Sequence, residues 1–118
     1  MIFEEVLMEA IDESFSSLGE KVKYAVYFHL ENNYNIRKST IPYRIGEFTE
    51  AIEDIFGLGA QLVEIRIMKT LYTRLRFNHL DLQNSDSLDF KSYLYAVQKK
   101  ITRARRFAPV PFAKNILT

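Results

Sequence analysis

The sequence predicts an all-α fold: one compact bundle of about five helices followed by an extended C-terminal tail that contains prolines. Three observations carry the prediction. Apolar residues recur at three- and four-residue steps in five segments, the period of one face of an α-helix. Turn and cap residues separate those segments, and Pro109 and Pro111 follow the last. With 118 residues, 47% of them hydrophobic, the chain has the size and apolar content of a single domain spanning 1–118 with its own core.

In the first helix the stripe is Phe3, Val6, Leu7, Ala10, Ile11, Phe15 and Leu18, with Glu4, Glu5, Glu9, Asp12, Glu13 and Ser16 between. Ser17-Leu18-Gly19-Glu20 has the form of a capping box, in which the Ser17 hydroxyl and Glu20 carboxylate each satisfy a free N–H. It predicts a second helix from about Leu18 to Asn33. That helix carries Val22, Ala25, Val26 and Leu30 on one side and Tyr24, Tyr27 and Phe28 on another, so it is expected to lie centrally. Asn32, Asn33 and Asn35 end it, and Tyr34 to Arg44, with Pro42, reads as an extended connection with room for a very short strand.

A third helix is predicted from about Ile45 to Phe56, with Ile45, Phe48, Ile52, Ile55 and Phe56 inward and Glu47, Glu50, Glu53 and Asp54 outward. Gly57 is its stop. The fourth follows from Gly59 to about Phe77 on the stripe Val63, Ile67, Met68, Leu71, Tyr72 and Leu75. Residues 78–87 are a polar loop in which Ser85 or Ser87 supplies the next cap. The fifth helix, about Leu88 to Arg106, turns Phe90, Tyr93, Leu94, Val97, Ile101 and Ala104 to one face. The tail from Phe107 cannot continue it, because proline lacks an N–H and restricts the residue before it.

Charge is segregated along the chain. The first twenty residues hold six acids and no base, whereas 86–118 hold seven bases and two acids. The absence of cysteine excludes disulfides, thiolate catalysis and cysteine-ligated zinc. No apolar run reaches a membrane span and the acidic start is unlike a signal peptide, so a soluble cytoplasmic protein is expected, without membrane association. Gly57-Leu58-Gly59 follows a helix and lacks a third glycine, which sets it apart from a dinucleotide loop. No nucleophile elbow or paired-histidine motif occurs, and no catalytic residue, metal or cofactor is assigned.

Four sets of residues remain as candidates. His29, seven residues after Val22, is turned toward the interior or its edge. Glu64 falls near the centre of the fourth helix's apolar arc, among Ala60, Val63, Ile67, Met68 and Leu71. A carboxylate there requires a partner such as His29, Arg44, a tyrosine hydroxyl or a free helix-end N–H. Lys91, Tyr95, Lys99, Arg103 and Arg106 form a basic face on the fifth helix, suited to phosphates or to an acidic protein surface. Val110, Phe112, Ile116 and Leu117 give the tail an apolar side, which needs a groove of the chain itself or of a second copy.

Ala10-Ile11-Asp12-Glu13-Ser14, Ser17-Leu18-Gly19-Glu20, Ala25-Val26-Tyr27-Phe28-His29-Leu30-Glu31, Ile41-Pro42, Ile55-Phe56-Gly57 and Gly59-Ala60 carry a resemblance. Over residues 10–77 the chain resembles a small archaeal domain family known mainly as an output module fused to signal-receiver domains in Nitrosopumilus and relatives. The resemblance implies an archaeal, cytoplasmic, all-helical module of signalling or regulation, and supplies no catalytic motif. Relative to the fused form, no receiver domain is expected within residues 1–118, and the basic helix (86–106) and the tail (107–118) are expected additions. The expected function is a non-enzymatic interaction or regulatory module that self-associates, most simply as a dimer. The alternative is an accessory domain that binds nucleic acid through the fifth helix.

Overall fold

A computed structural model of the chain describes residues 2–77 and 89–107, the side chains of Phe77 and of residues 104–107 excepted. Five α-helices are present among them: α1 (Phe3–Ser16), α2 (Glu20–Tyr34), α3 (Ile45–Phe56), α4 (Ala60–Phe77) and α5 (Phe90–Phe107). Two 3₁₀ turns, Lys38–Tyr43 and Gly57–Gly59, join α2 to α3 and α3 to α4. The all-α bundle is the predicted fold.

The most extensive packing is between α1 and α4, and α3 and α5 close the bundle around that pair. Leu7, Ala10, Ile11 and Phe15 of α1 and Ile67 and Leu71 of α4 are fully shielded. Phe15 stacks at a tilt on Phe48 of α3, with centroids 6.5 Å apart, and Phe48 meets Phe90 of α5 at 6.4 Å. These aromatic contacts tie three helices through the centre of the core.

The structure departs from the predicted elements in three places. No capping box forms. Ser17 ends α1, its hydroxyl donating to the Ser14 carbonyl at 2.6 Å, and Gly19 precedes α2 at φ 113°, where a side chain would be strained. Most of the segment before α3 is helical rather than extended: a 3₁₀ turn over Lys38–Tyr43 buries Ile41 and Pro42 against α1 and α3, and Ile36, in the short extended stretch before it, is buried as well. Burial of those apolar side chains outweighs the β preference of isoleucine and threonine.

The third departure concerns α2, which is peripheral. It touches α1, α3 and the first 3₁₀ turn, and only Val26 and Leu30 are buried along its 15 residues. Asn35 terminates it in the left-handed region at φ 55°, as the asparagine cluster predicted. Gly57 ends α3 at φ 56°, again as predicted.

Candidate functional site

Three acids of α1, Glu9, Asp12 and Glu13, are answered within the chain. Arg74 of α4 forks across two of them, with Nη1 at 2.8 Å from Glu9 Oε1 and Nη2 at 2.5 Å from Glu13 Oε1. Asp12 accepts from the Tyr27 hydroxyl at 3.0 Å and from Lys38 at 3.1 Å, with Lys23 at 3.6 Å. Its burial pushes the carboxyl pKa up, but hydrogen bonds from Lys38 and Tyr27 and the charges of Lys38 and Lys23 outweigh that and hold it below the ordinary range. Lys38 also lies over the Tyr27 ring, 4.7 Å from its centroid.

The basic face of α5 takes no part in this. Lys91, Tyr95, Lys99 and Arg103 are exposed, opposite the buried Phe90, Tyr93, Leu94, Val97 and Ile101. Among the described residues no ion pair joins Lys91, Lys99 or Arg103 to a carboxylate. The side chain of Arg106 lies outside the described residues, as do Ser85, Ser87 and the tail residues Val110, Phe112, Ile116 and Leu117. Asp89 caps α5, its carboxylate accepting the Ser92 amide at 2.8 Å.

Glu64 is buried, with 9% of its surface exposed, and its Oε2 has no hydrogen-bond partner among the described residues. None of the expected partners reaches it. Arg44 forks onto Glu47 at 2.7 and 2.8 Å and donates to the Asn35 carbonyl. His29 is a correction: it is exposed, not interior, because α2 turns its Val26–Leu30 edge inward and leaves His29 beside Asn33, 3.1 Å away. Burial, and then the charges of Glu53 and Asp89, push the Glu64 carboxyl up. Tyr93 is a second buried group whose hydroxyl has no partner among the described residues, and burial and the neighbouring Tyr72 push its pKa up to about 12.

Two features escaped the sequence reading. Ser14 and Thr49 are buried in the core, each donating to the carbonyl four residues back, at 2.7 and 2.8 Å. Their signal was available, since Ser14 continues the Leu7, Ala10, Ile11 stripe of α1. The other is the outer face of α2, where Tyr24 is 66% and Phe28 63% exposed, with Lys21, Ala25 and Asn32 along the same line. At a helical step of about 100° these positions sit opposite Val26 and Leu30.

Among the described residues no three of His, Cys, Asp and Glu group closely enough to hold a metal ion, and no helix is long and apolar enough to cross a membrane. Comparison with known protein families, with curated proteins and with solved structures finds no match to this chain.

Proposed function

We propose that the chain is a non-enzymatic interaction module that self-associates as a dimer through the outer face of α2. The observation that carries this is the exposure of Tyr24 and Phe28 on consecutive turns of one helix. Large aromatic surface in a row is a contact surface more than a solvated one. A second copy of the chain is the occupant that the charges favour. Lys21 lies near the N-terminal end of α2 and Glu31 in its last turn, each at the end that the helix dipole disfavours. In an antiparallel two-fold pair Lys21 of one copy approaches Glu31 of the other, and Tyr24 meets Phe28. Both unfavourable charges are thereby relieved.

The test is sedimentation equilibrium. A dimer is expected at about 50 µM, lost in Phe28→Asp, weakened in Lys21→Glu, and restored when Lys21→Glu is combined with Glu31→Lys. A strict monomer in the wild type overturns the proposal, as does failure of the double reversal to restore association. The resemblance over residues 10–77 supports placing such a module in archaeal cytoplasmic signalling.

One observation favours a second reading. Glu9, Asp12 and Glu13 of α1 are paired with Arg74, Lys23 and Lys38, whereas among the described residues Lys91, Lys99 and Arg103 of α5 form no ion pair with a carboxylate, Lys91 acting on Asp89 only through its charge. Such a face suits an acidic partner, and nucleic acid is the alternative function. Binding to a short duplex that falls steeply with salt and is lost in Lys99→Glu/Arg103→Glu supports it, and a flat salt response removes it.

A further inference from the structure

We infer that the cavity between α3, α4 and α5 is a binding site for an alkylguanidinium or alkylammonium group. The cavity has a volume of about 540 Å³. Glu53 from α3, Glu64 from α4 and Asp89 at the start of α5 contribute three carboxylates, and Ala60, Met68 and Phe90 contribute apolar wall. Among the described residues that line it none is basic. The inference is independent of the α2 interface.

An acidic cluster alone is ordinary surface. What distinguishes this one is Glu64, nine-tenths buried, lining the cavity and carrying an oxygen that nothing among the described residues hydrogen-bonds. Buried polar atoms are nearly always satisfied, so an orphan beside a cavity marks where a ligand donor belongs. Asp89 adds a charge that stays ionised, because the Ser92 amide stabilises its carboxylate. The required donor is therefore cationic. A guanidinium supplies several N–H groups on a planar fork and can meet more than one carboxylate, and its alkyl stem matches the apolar wall. A bare metal ion fits less well, since the carboxylates do not draw together into a metal-holding group.

The ligand's charge can come from a free small molecule or from an arginine of a partner. Titration of the full chain with n-butylguanidinium, n-butylammonium and the blocked peptide acetyl-Gly-Arg-Gly-amide separates the sources, followed by amide shifts at Glu53, Glu64, Asp89 and Phe90. Saturable binding is expected, with a dissociation constant on the order of millimolar. Tighter binding of the peptide supports a partner's side chain as the source, and tighter binding of a free amine supports a small molecule.

Glu64→Gln, nearly isosteric, is expected to weaken binding by about tenfold or more through loss of the charge. Glu53→Gln is expected to weaken it less, and Glu50→Gln, outside the cavity, to leave it unchanged. Phe28→Asp also leaves it unchanged, which separates this site from the dimer. Absence of saturable shifts up to about 50 mM overturns the inference. Equal binding by Glu64→Gln, or equal shifts with uncharged n-pentanol, overturns it too.

Discussion

The outer flank of α1 and the α3–α4–α5 corner both gather carboxylates, yet they treat them in opposite ways. On the flank, Glu9, Asp12 and Glu13 each face a base or a hydroxyl from another element, through Arg74, Lys23, Lys38 and Tyr27. At the corner, Glu53, Glu64 and Asp89 line one cavity with no base among its described lining residues, and the most buried of the three carries an oxygen without a hydrogen-bond partner among the described residues. The flank is how a fold fastens itself, Asp12 and Lys38 lying against Tyr27, whose ring packs edge-on to Phe15 at 5.4 Å. The corner is how a fold leaves something unfinished, since a buried carboxylate without a donor works against stability.

The comparison breaks if the flank does not depend on its packing. Phe15 is fully buried and touches Tyr27 and Phe48, so Phe15→Ala leaves a cavity under three helices and is expected to cost about 3–5 kcal/mol. Urea unfolding measures it. A loss below about 1 kcal/mol would mean that charge, not packing, holds α1 in place.

The corner predicts a change of opposite sign. Glu64→Leu removes a buried carboxylate and is expected to stabilise the chain by about 1–3 kcal/mol at neutral pH. A loss of stability instead would show that Glu64 is a structural partner, and the contrast with the flank would vanish.

Titration sharpens the same contrast. Asp12 has a lowered pKa in the fold, so its contribution is present above its unfolded value of about 3.9 and is lost as pH falls through the folded one. Glu64 has a raised pKa, so its contribution is present below its unfolded value of about 4.3 and is lost as pH rises through the folded one. Unfolding free energies measured against pH are therefore expected to show Asp12→Asn flattening the acid limb below about 4 and Glu64→Gln removing a decline above about 4.3. Identical pH profiles for wild type and both variants would erase the distinction between the regions.

Much of this was legible in the sequence wherever one physical requirement dominated. The stripes of α1, α3, α4 and α5 are spaced to bury one face, and most of their residues are buried as predicted, although Val6, Leu18, Ile55, Phe56, Met68 and Tyr72 are only half-buried and Ser14, Thr49 and Ala51 join the core unpredicted. Glu64 was legible too, because helical geometry alone puts position 64 among Ala60, Val63 and Ile67. Its lack of a partner was not, since that depends on where Arg44 and His29 come to lie in space. For α2 the sequence offered two apolar edges, Val26–Leu30 and Tyr24–Phe28, and composition could not rank them. Tertiary packing drew on both: Val26 and Leu30 are buried and Tyr27 from the other edge is half-buried against Phe15, whereas Val22 and Ala25 of the first edge and Tyr24 and Phe28 of the second stay exposed. Ser17 was ambiguous for a related reason: its hydroxyl can serve the end of α1 or the start of α2, and the positive φ available to Gly19 decided for the former.

The smallest expected effect lies in the Arg74 fork. Its guanidinium side chain is 33% exposed and the two carboxylate side chains are 60% and 58% exposed, so water competes for every charge and ordering the long side chains offsets part of the attraction. Arg74→Met keeps the apolar stem against α1 while deleting the fork. It is expected to cost about 1 kcal/mol or less at low ionic strength, and less still near 1 M salt, where the screening length shrinks to about 3 Å. Thermal unfolding at the two salt concentrations reads the difference. A larger, salt-independent loss would mean that the α1 flank is a desolvated network. In that case both corners would depend on buried charge, and the orphaned carboxylate of Glu64 would no longer be set apart by the way the rest of the molecule handles its acids.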